Sequence, residues 1–183
     1  MRRTSRAAWH AHVNAAAPSA ALRDWLTLAT SLTAALRANC QTFRVQRLRQ
    51  RPNLCLGDES RAIGLPRRLQ VREREVLLCC NGVPVVFAHT VVPMSATASD
   101  WPMFSALGEK SLGTSLFSDP LVTRGILQFA QLPPSHPLML RISSAVPSEQ
   151  IESRLYARRC LFRRRHGLML VTEVFLPSIL DLN

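Results

Sequence analysis

Two charged residues, Arg74 and Glu173, stand in or beside strongly apolar stretches of this sequence. Arg74 precedes the apolar run at residues 76–80, and Glu173 is followed directly by Val174 and Phe175. A buried arginine needs an anionic partner, because an unpaired buried charge is very costly. A buried carboxyl group either pairs with an arginine or has its pKa raised by desolvation. Each residue is therefore open to two interpretations, an ion pair within the protein or a contact with a ligand.

The segment that holds Arg74 is predicted to be a β-hairpin. An Asn-Gly pair at residues 81–82 tolerates the positive φ angles of a two-residue type I′ turn, and β-rich runs flank it. Both runs are apolar at nearly every position, which is typical of strands that are covered on both faces. Side chains alternate along a strand, so Arg74 shares a face with the apolar residues that follow at every second position. The acids Glu73 and Glu75 share the other face.

Beyond that hairpin, the pattern predicts a mixed α+β domain. Ser19 is placed to cap a helix that continues to about residue 37, with leucines at mostly helical spacings. The further predicted elements are strands at residues 42–50 and 121–129, short helices near residues 101–107 and from Lys110, and a last hairpin over residues 154–176 that turns at His166-Gly167.

Two segments are predicted to lie outside this regular core. Residues 1–18 contain arginines and no acid, and we expect them to form a flexible N-terminal tail before a domain at residues 19–183. Residues 132–152 are rich in proline and serine. They are predicted to form an insertion or flap, with residues 138–142 as an extra strand.

The composition is that of one globular domain with an excess of arginine. The 183 residues suffice for one core, and 47% of them are hydrophobic. The formal net charge is +11, but the arginines are spread along the chain, so no dedicated nucleic-acid role is expected. No apolar run reaches the roughly eighteen residues of a membrane span. The five cysteines lack paired spacing, which is typical of reduced thiols, and no metal site is expected.

Several short motifs follow one another in a particular order. The most specific are Arg-Glu-Val-Leu-Leu-Cys from Arg74, followed by the Asn-Gly turn and Thr-Val-Val-Pro, and Leu-Met-Leu-Val-Thr-Glu-Val-Phe-Leu-Pro from Leu168. The others are Asp-Trp-Leu from Asp24, Ser-Leu-Gly at residues 111–113, Thr123-Arg124, and Tyr-Ala-Arg-Arg at residues 156–159. Together they resemble chorismate pyruvate-lyase, the bacterial enzyme that makes 4-hydroxybenzoate for ubiquinone.

The resemblance implies a single domain with a six-stranded antiparallel sheet, helices over one side, and a ligand buried between the sheet and helical flaps. It also implies roles for four residues. Arg74 and Glu173 would be catalytic and would bind a substrate carboxylate and the ring hydroxyl, respectively. Leu32 would form an apolar wall, and the backbone of Leu112 would contact the substrate. His89 stands where a member of that family carries arginine; if this position binds a carboxylate, a neutral histidine weakens binding near pH 7.

The implied activity is elimination of pyruvate from chorismate to give 4-hydroxybenzoate, the first step of ubiquinone biosynthesis, without a metal or other cofactor. Such a site accelerates the reaction mainly by orientation and by a preorganised electrostatic field. The expected setting is a monomer in the bacterial cytoplasm. The alternative is a non-catalytic domain that binds a small aromatic carboxylate, because the fold also resembles the effector domain of a family of bacterial transcription regulators.

Overall fold

The computed structural model of the protein describes residues 6–148 and 151–182, which are built around one six-stranded antiparallel sheet. The strands are β1 (Phe43–Leu54), β2 (Gln70–Cys80), β3 (Val83–Pro93), β4 (Val122–Leu132), β5 (Leu155–Arg164) and β6 (Gly167–Phe175). Their order across the sheet is β1-β2-β3-β6-β5-β4, and all neighbouring strands are antiparallel. The predicted fold class is confirmed.

Two tight hairpins establish the centre and one side of this sheet. Asn81 and Gly82 join β2 to β3 with φ angles of 50° and 82°, as a type I′ turn requires. The side chain of Asn81 also accepts hydrogen bonds from the two backbone N–H groups that lead into β1. Between β5 and β6 the turn includes Arg165, whose φ is 53°, so it lies one residue earlier than predicted.

Strand β1 extends past Pro52, which was expected to begin a loop. Pro52 lies opposite Arg72 in the ladder with β2. Proline removes a backbone donor, but β1 is the edge strand of the sheet, and on an edge the missing N–H costs no ladder bond on the solvent side.

Three helices cover one face of the sheet: α1 (Ala20–Thr27), α2 (Leu32–Ala38) and α3 (Leu112–Ser118). The prediction of one continuous helix from Ser19 is wrong, although Ser19 does cap α1. Arg158 donates hydrogen bonds to the carbonyl groups of the last turn of α1, so these groups need no further helical turn. Ser31 then caps α2 by accepting a hydrogen bond from the N–H of Ala34.

The opposite face is covered by α4 (Pro137–Ala145), which replaces the extra strand predicted at residues 138–142. Leu138, Met139 and Ile142 are buried on one side of this helix and pack against inward side chains of the sheet. Proline at the first helical position and a capping His136 favour a helix here. Helices therefore lie on both faces, not on one, and α4 is on the face that carries Glu73 and Glu75.

The N-terminal segment, predicted to be a flexible tail, packs against the sheet from residue 6 onward. His10 forms two backbone hydrogen bonds with β4, of 2.9 and 2.8 Å. The ring of Trp9 lies under the guanidinium of Arg159, 4.3 Å from ring centroid to Cζ. These contacts correct the prediction for this part of the segment, whereas residues 1–5 lie outside the described residues. Among the helices of residues 6–148 and 151–182, none is long and apolar enough to cross a bilayer.

Candidate active site

A cavity lies between the sheet and helices α2 and α3. All four residues that the sequence nominated, Leu32, Arg74, Leu112 and Glu173, line it. Its apolar walls come from the sheet and from α3 and include Val45, Val76, Leu78, Leu116, Phe117, Leu127, Phe162 and Val171. The structure thus brings residues that are up to 141 positions apart in the sequence into one enclosed space.

Arg74 enters this cavity from β2 as a buried cation, with 2% of its surface exposed. Its Nη2 donates hydrogen bonds to the carbonyl oxygens of Gly108 and Lys110, at 3.0 and 2.8 Å. None of the ion pairs among the described residues involves Arg74, and its Nε is buried without an acceptor there. Burial, and secondarily the nearby Arg47, lowers the pKa of Arg74 to about 10. Within the described residues, the guanidinium therefore has no carboxylate to compensate it.

Glu173 enters the same cavity from β6 and is held by an arginine. Its Oε2 accepts a hydrogen bond of 2.6 Å from Nε of Arg158, its cross-strand partner on β5. The other Arg158 donors point to the end of α1, so this arginine joins helix, sheet and carboxylate. The Glu173 side chain keeps 19% of its surface exposed. For Glu173 the ion-pair interpretation holds, and the carboxylate also faces the cavity.

Leu32 and Leu112 begin helices α2 and α3, and both are buried against the cavity. A hydrogen bond of 2.7 Å between the hydroxyl groups of Thr33 and Ser111 joins the two helix starts. At Gly113 a Cβ atom would lie 3.1 Å from Oγ1 of Thr33, so glycine allows the two helices to approach closely. The wall formed by Leu32 and Leu112 therefore depends on this contact.

Two further arginines line the cavity, and the sequence analysis did not nominate them for the site. Arg158 is the partner of Glu173, and Arg124 reaches in from β4. The signal for Arg158 was the Arg-Arg pair at residues 158–159, but its role depends on the β5–β6 register. With Arg74, the cavity holds three arginines against one glutamate, an excess of positive charge that favours an anionic ligand.

His89 does not face this cavity, which corrects the expectation that it weakens ligand binding as a neutral side chain. It lies on the opposite face of β3, 1% exposed, with Nδ1 3.1 Å from Oε1 of Glu75 and Nε2 3.0 Å from Oε1 of Glu59. Burial opposes a charge on the imidazole, but the two carboxylates outweigh it and raise the pKa of His89 to about 9. His89 is thus a charged part of the ion-pair network beneath α4.

The same network brings possible metal ligands together. Ligand atoms of Glu73, Glu75 and His89 lie within 4.8 Å of one another. However, Arg141 of α4 contacts both carboxylates, and Nε of Arg49 lies 3.1 Å from Oε2 of Glu75. The negative charge that would hold a cation is therefore already compensated by arginines. These contacts also explain how α4 is attached to the sheet.

Comparison with known proteins places this geometry in a family. A family model described as chorismate lyase matches residues 3–182. The chain belongs to the chorismate lyase family. Among its relatives is a probable chorismate pyruvate-lyase of Cupriavidus metallidurans, 50% identical over 177 residues, which are 96% of this chain and 82% of the relative. A probable chorismate pyruvate-lyase of Nitrosomonas eutropha is 44% identical over 172 residues, 94% of each chain.

Solved structures of low sequence identity share the fold of this chain. The PhnF protein of Mycobacterium smegmatis superposes with a TM-score of 0.57 over 83% of this chain and 66% of the other, at 13% identity. A GntR-family transcriptional regulator of Bacillus cereus gives 0.54 over 74% and 92%, at 10% identity. At such identities the likeness concerns the fold alone.

Proposed function

We propose that this protein eliminates pyruvate from chorismate to give 4-hydroxybenzoate, the reaction that begins ubiquinone biosynthesis. Membership in the chorismate lyase family and relatives of up to 50% identity that are named chorismate pyruvate-lyase support this activity. The observation that carries the proposal is Arg74, a buried cation without a protein carboxylate, in one cavity with Glu173. A protein retains such a charge at a cost, and a ligand carboxylate is what would compensate it.

The spacing of the two groups suits the substrate. Arg74 stands on β2 and Glu173 on β6, two strand spacings apart and offset by two residues along the strands, so their backbones are about 12 Å apart. A six-membered ring with a carboxylate at one end and a hydroxyl group at the other spans this gap with a hydrogen bond at each end. We therefore assign the ring carboxylate of chorismate to Arg74 and the ring hydroxyl to Glu173.

The reaction needs orientation more than it needs an external reagent. The bond between the ring and the ether oxygen breaks, the ring loses the proton from its hydroxyl-bearing carbon, and the enolpyruvyl group leaves as enolpyruvate, which takes up a proton to become pyruvate. No electrons pass to another molecule, because aromatisation of the ring accompanies the elimination. Leu32 and the backbone of Leu112 would hold the ring in place and exclude water, so that the field of Arg74 and Glu173 acts at full strength.

We propose further that the protein acts as a monomer in the bacterial cytoplasm, without a dedicated nucleic-acid partner. Five free cysteines suit a reducing compartment. The ion pairs of the described residues engage six different arginines with acids, so part of the arginine content serves the fold. The catalytic domain would extend over residues 19–183, with the preceding segment packed on its sheet.

The test is turnover by the purified protein with chorismate, following 4-hydroxybenzoate and pyruvate together, with no metal or cofactor added. We expect equimolar release, which Arg74→Ala and Glu173→Ala abolish while thermal unfolding shows that both variants fold. Arg51→Ala, which removes an exposed arginine from the opposite face, is the matched control and should retain activity. Binding of 4-hydroxybenzoate without turnover would support a non-catalytic binding domain instead, and neither binding nor turnover would refute the proposal.

A further inference from the structure

The substrate carries a second carboxylate, on the enolpyruvyl group, and the groups assigned so far do not bind it. We propose that Arg124 binds this second carboxylate and thereby distinguishes the dianionic substrate from the monoanionic product. The inference rests on the proposed function and adds a specificity residue to it. Arg124 is the third arginine of the cavity and stands on the edge strand β4.

The position of Arg124 across the sheet fits the shape of the substrate. From Arg74 on β2, the ring axis runs to Glu173 on β6, and β5 and β4 lie beyond. The enolpyruvyl ether is attached to the ring carbon next to the hydroxyl-bearing carbon, so this group leaves the ring at the Glu173 end. Cys160 and Phe162 of β5 line the cavity between Glu173 and Arg124. Along the strands the backbone of Arg124 is level with Phe162, four residues from the level of Glu173. Its side chain reaches back to the carbonyl oxygen of Ala29, next to the Leu28 carbonyl that Arg158, the partner of Glu173, contacts. An enolpyruvyl group directed over β5 therefore brings its carboxylate towards the Arg124 guanidinium.

Arg124 also has unused hydrogen-bonding capacity. Its Nη1 donates to the carbonyl oxygen of Ala29, and its guanidinium lies over the ring of Phe117, 5.5 Å from Cζ to the centroid. In the described ranges, its Nε is buried and has no acceptor, and no carboxylate forms an ion pair with it. A guanidinium held by its ends with one donor free can complete a hydrogen bond to an incoming carboxylate.

The other arginine near Glu173 is less suited to this role. The Nε of Arg158 donates a hydrogen bond to Glu173, and its Nη1 donates to three carbonyl groups at the end of α1. Arg74 and Arg124 are then the two cavity arginines that pair with no carboxylate of residues 6–148 and 151–182, one on each side of Glu173. Two such cations correspond to the two carboxylates of the substrate. After elimination only the ring carboxylate remains on the ring. The product therefore keeps its contact with Arg74 and has no carboxylate for Arg124 to bind.

The decisive measurement compares substrate and product in the same variants. In Arg124→Gln we expect kcat/KM for chorismate to fall about 10- to 100-fold, the loss of one charge-assisted hydrogen bond. The Kd of 4-hydroxybenzoate should change by less than about threefold, since the product lacks the second carboxylate. Arg124→Lys should recover part of kcat/KM. Arg163→Gln, an exposed residue outside the cavity, controls for loss of positive charge and should leave both constants unchanged.

Two results would overturn this role. If Arg124→Gln weakened chorismate and 4-hydroxybenzoate by the same factor, the arginine would act through its bond to Ala29 and the shape of the cavity. If kcat/KM for chorismate were unchanged, the second carboxylate would be bound elsewhere. Turnover by the unmodified protein tests the proposed function separately, because a protein that releases pyruvate and still shows either result keeps its activity and loses only this assignment.

Discussion

Replacing Arg74 by methionine should lower activity strongly and yet leave the protein as stable as before, or more stable. Methionine fills a similar elongated volume without a charge. The variant loses two hydrogen bonds to the carbonyl groups of Gly108 and Lys110, and it also loses a buried cation that no described carboxylate compensates. Both effects can be weighed from the structure.

The desolvation of the guanidinium is the larger effect. The fall in the pKa of Arg74 from its ordinary value to about 10 means that the folded state disfavours the charged form. At neutral pH this corresponds to about 3 kcal/mol of lost stability. The two hydrogen bonds of Arg74 stabilise the folded state by about 1–3 kcal/mol, which partly offsets this loss. We therefore expect Arg74→Met to change the free energy of unfolding by between zero and about +2 kcal/mol, which moves the melting temperature upwards by at most a few degrees.

The matched comparison is Arg158→Met, which removes an equally buried arginine that does have a carboxylate partner. It leaves Glu173 without its 2.6 Å hydrogen bond and the end of α1 without a donor. A broken buried pair of this kind costs about 3–5 kcal/mol. Melting followed by circular dichroism, together with steady-state release of pyruvate, gives both quantities for both variants.

Comparison of these two variants should thus distinguish an effect on stability from an effect on activity. For Arg74→Met we expect kcat/KM to fall about 10²- to 10³-fold, from the loss of the ligand's charge partner, with no loss of stability. If Arg74→Met destabilised the protein as much as Arg158→Met does, Arg74 would be a structural residue, and the reasoning that assigns it to a ligand would be refuted.

Three further perturbations test other parts of the structure. Glu173→Gln should lower kcat/KM about 10²-fold with the fold retained, and pyruvate release with circular dichroism checks both. Because the pKa of His89 is raised to about 9, its contribution to stability is complete below pH 6.5 and is lost as the pH rises through 9; denaturant unfolding at pH 6–10 should show this loss, and His89→Asn should remove the dependence. Ile142→Ala should reduce the free energy of unfolding by about 2–5 kcal/mol without lowering kcat, and a matching fall in kcat at saturating chorismate would instead make α4 part of the site.

The features that the sequence predicted well depend on local pattern. The Asn-Gly pair requires positive φ angles, and the alternation around Arg74 determines which side chains share a face, so the central hairpin and its two faces were accessible from the residues alone. The four nominated residues came from motifs that lie on these hairpins and on the starts of α2 and α3. All four line one cavity, while their roles in binding stay predictions.

The features that the sequence did not predict depend on contacts between distant segments. The pairing of Glu173 with Arg158 requires the register of β5 against β6, and Arg124 reaches the cavity only because β4 lies beside β5. Similarly, the break between α1 and α2 depends on donors that Arg158 supplies from more than 100 residues away. The conditional role of His89 came from the resemblance alone, because the apolar residues on both faces of β3 do not indicate which face borders the cavity.

In the insertion, the short apolar run at residues 138–142 fits a strand or a helix equally well over five positions. Tertiary contacts decide between them. In the helical conformation Arg141 pairs with Glu73 and Glu75. Ile142, on a neighbouring side of the helix, packs in the core. The alternation in β2 predicted that Glu73 and Glu75 share a face, but it did not predict that Arg141 of a helix pairs with them.

The central claim is that the cavity between the sheet and helices α2 and α3 holds the aromatic ring between Arg74 and Glu173. A crystal structure of the protein with 4-hydroxybenzoate tests it most directly. We expect the carboxylate of the ligand within hydrogen-bond distance of the Arg74 guanidinium, the phenolic oxygen at Glu173, and the ring against Leu32 and Leu112. A ligand bound in the reverse orientation, or on the other face of the sheet, would contradict the account.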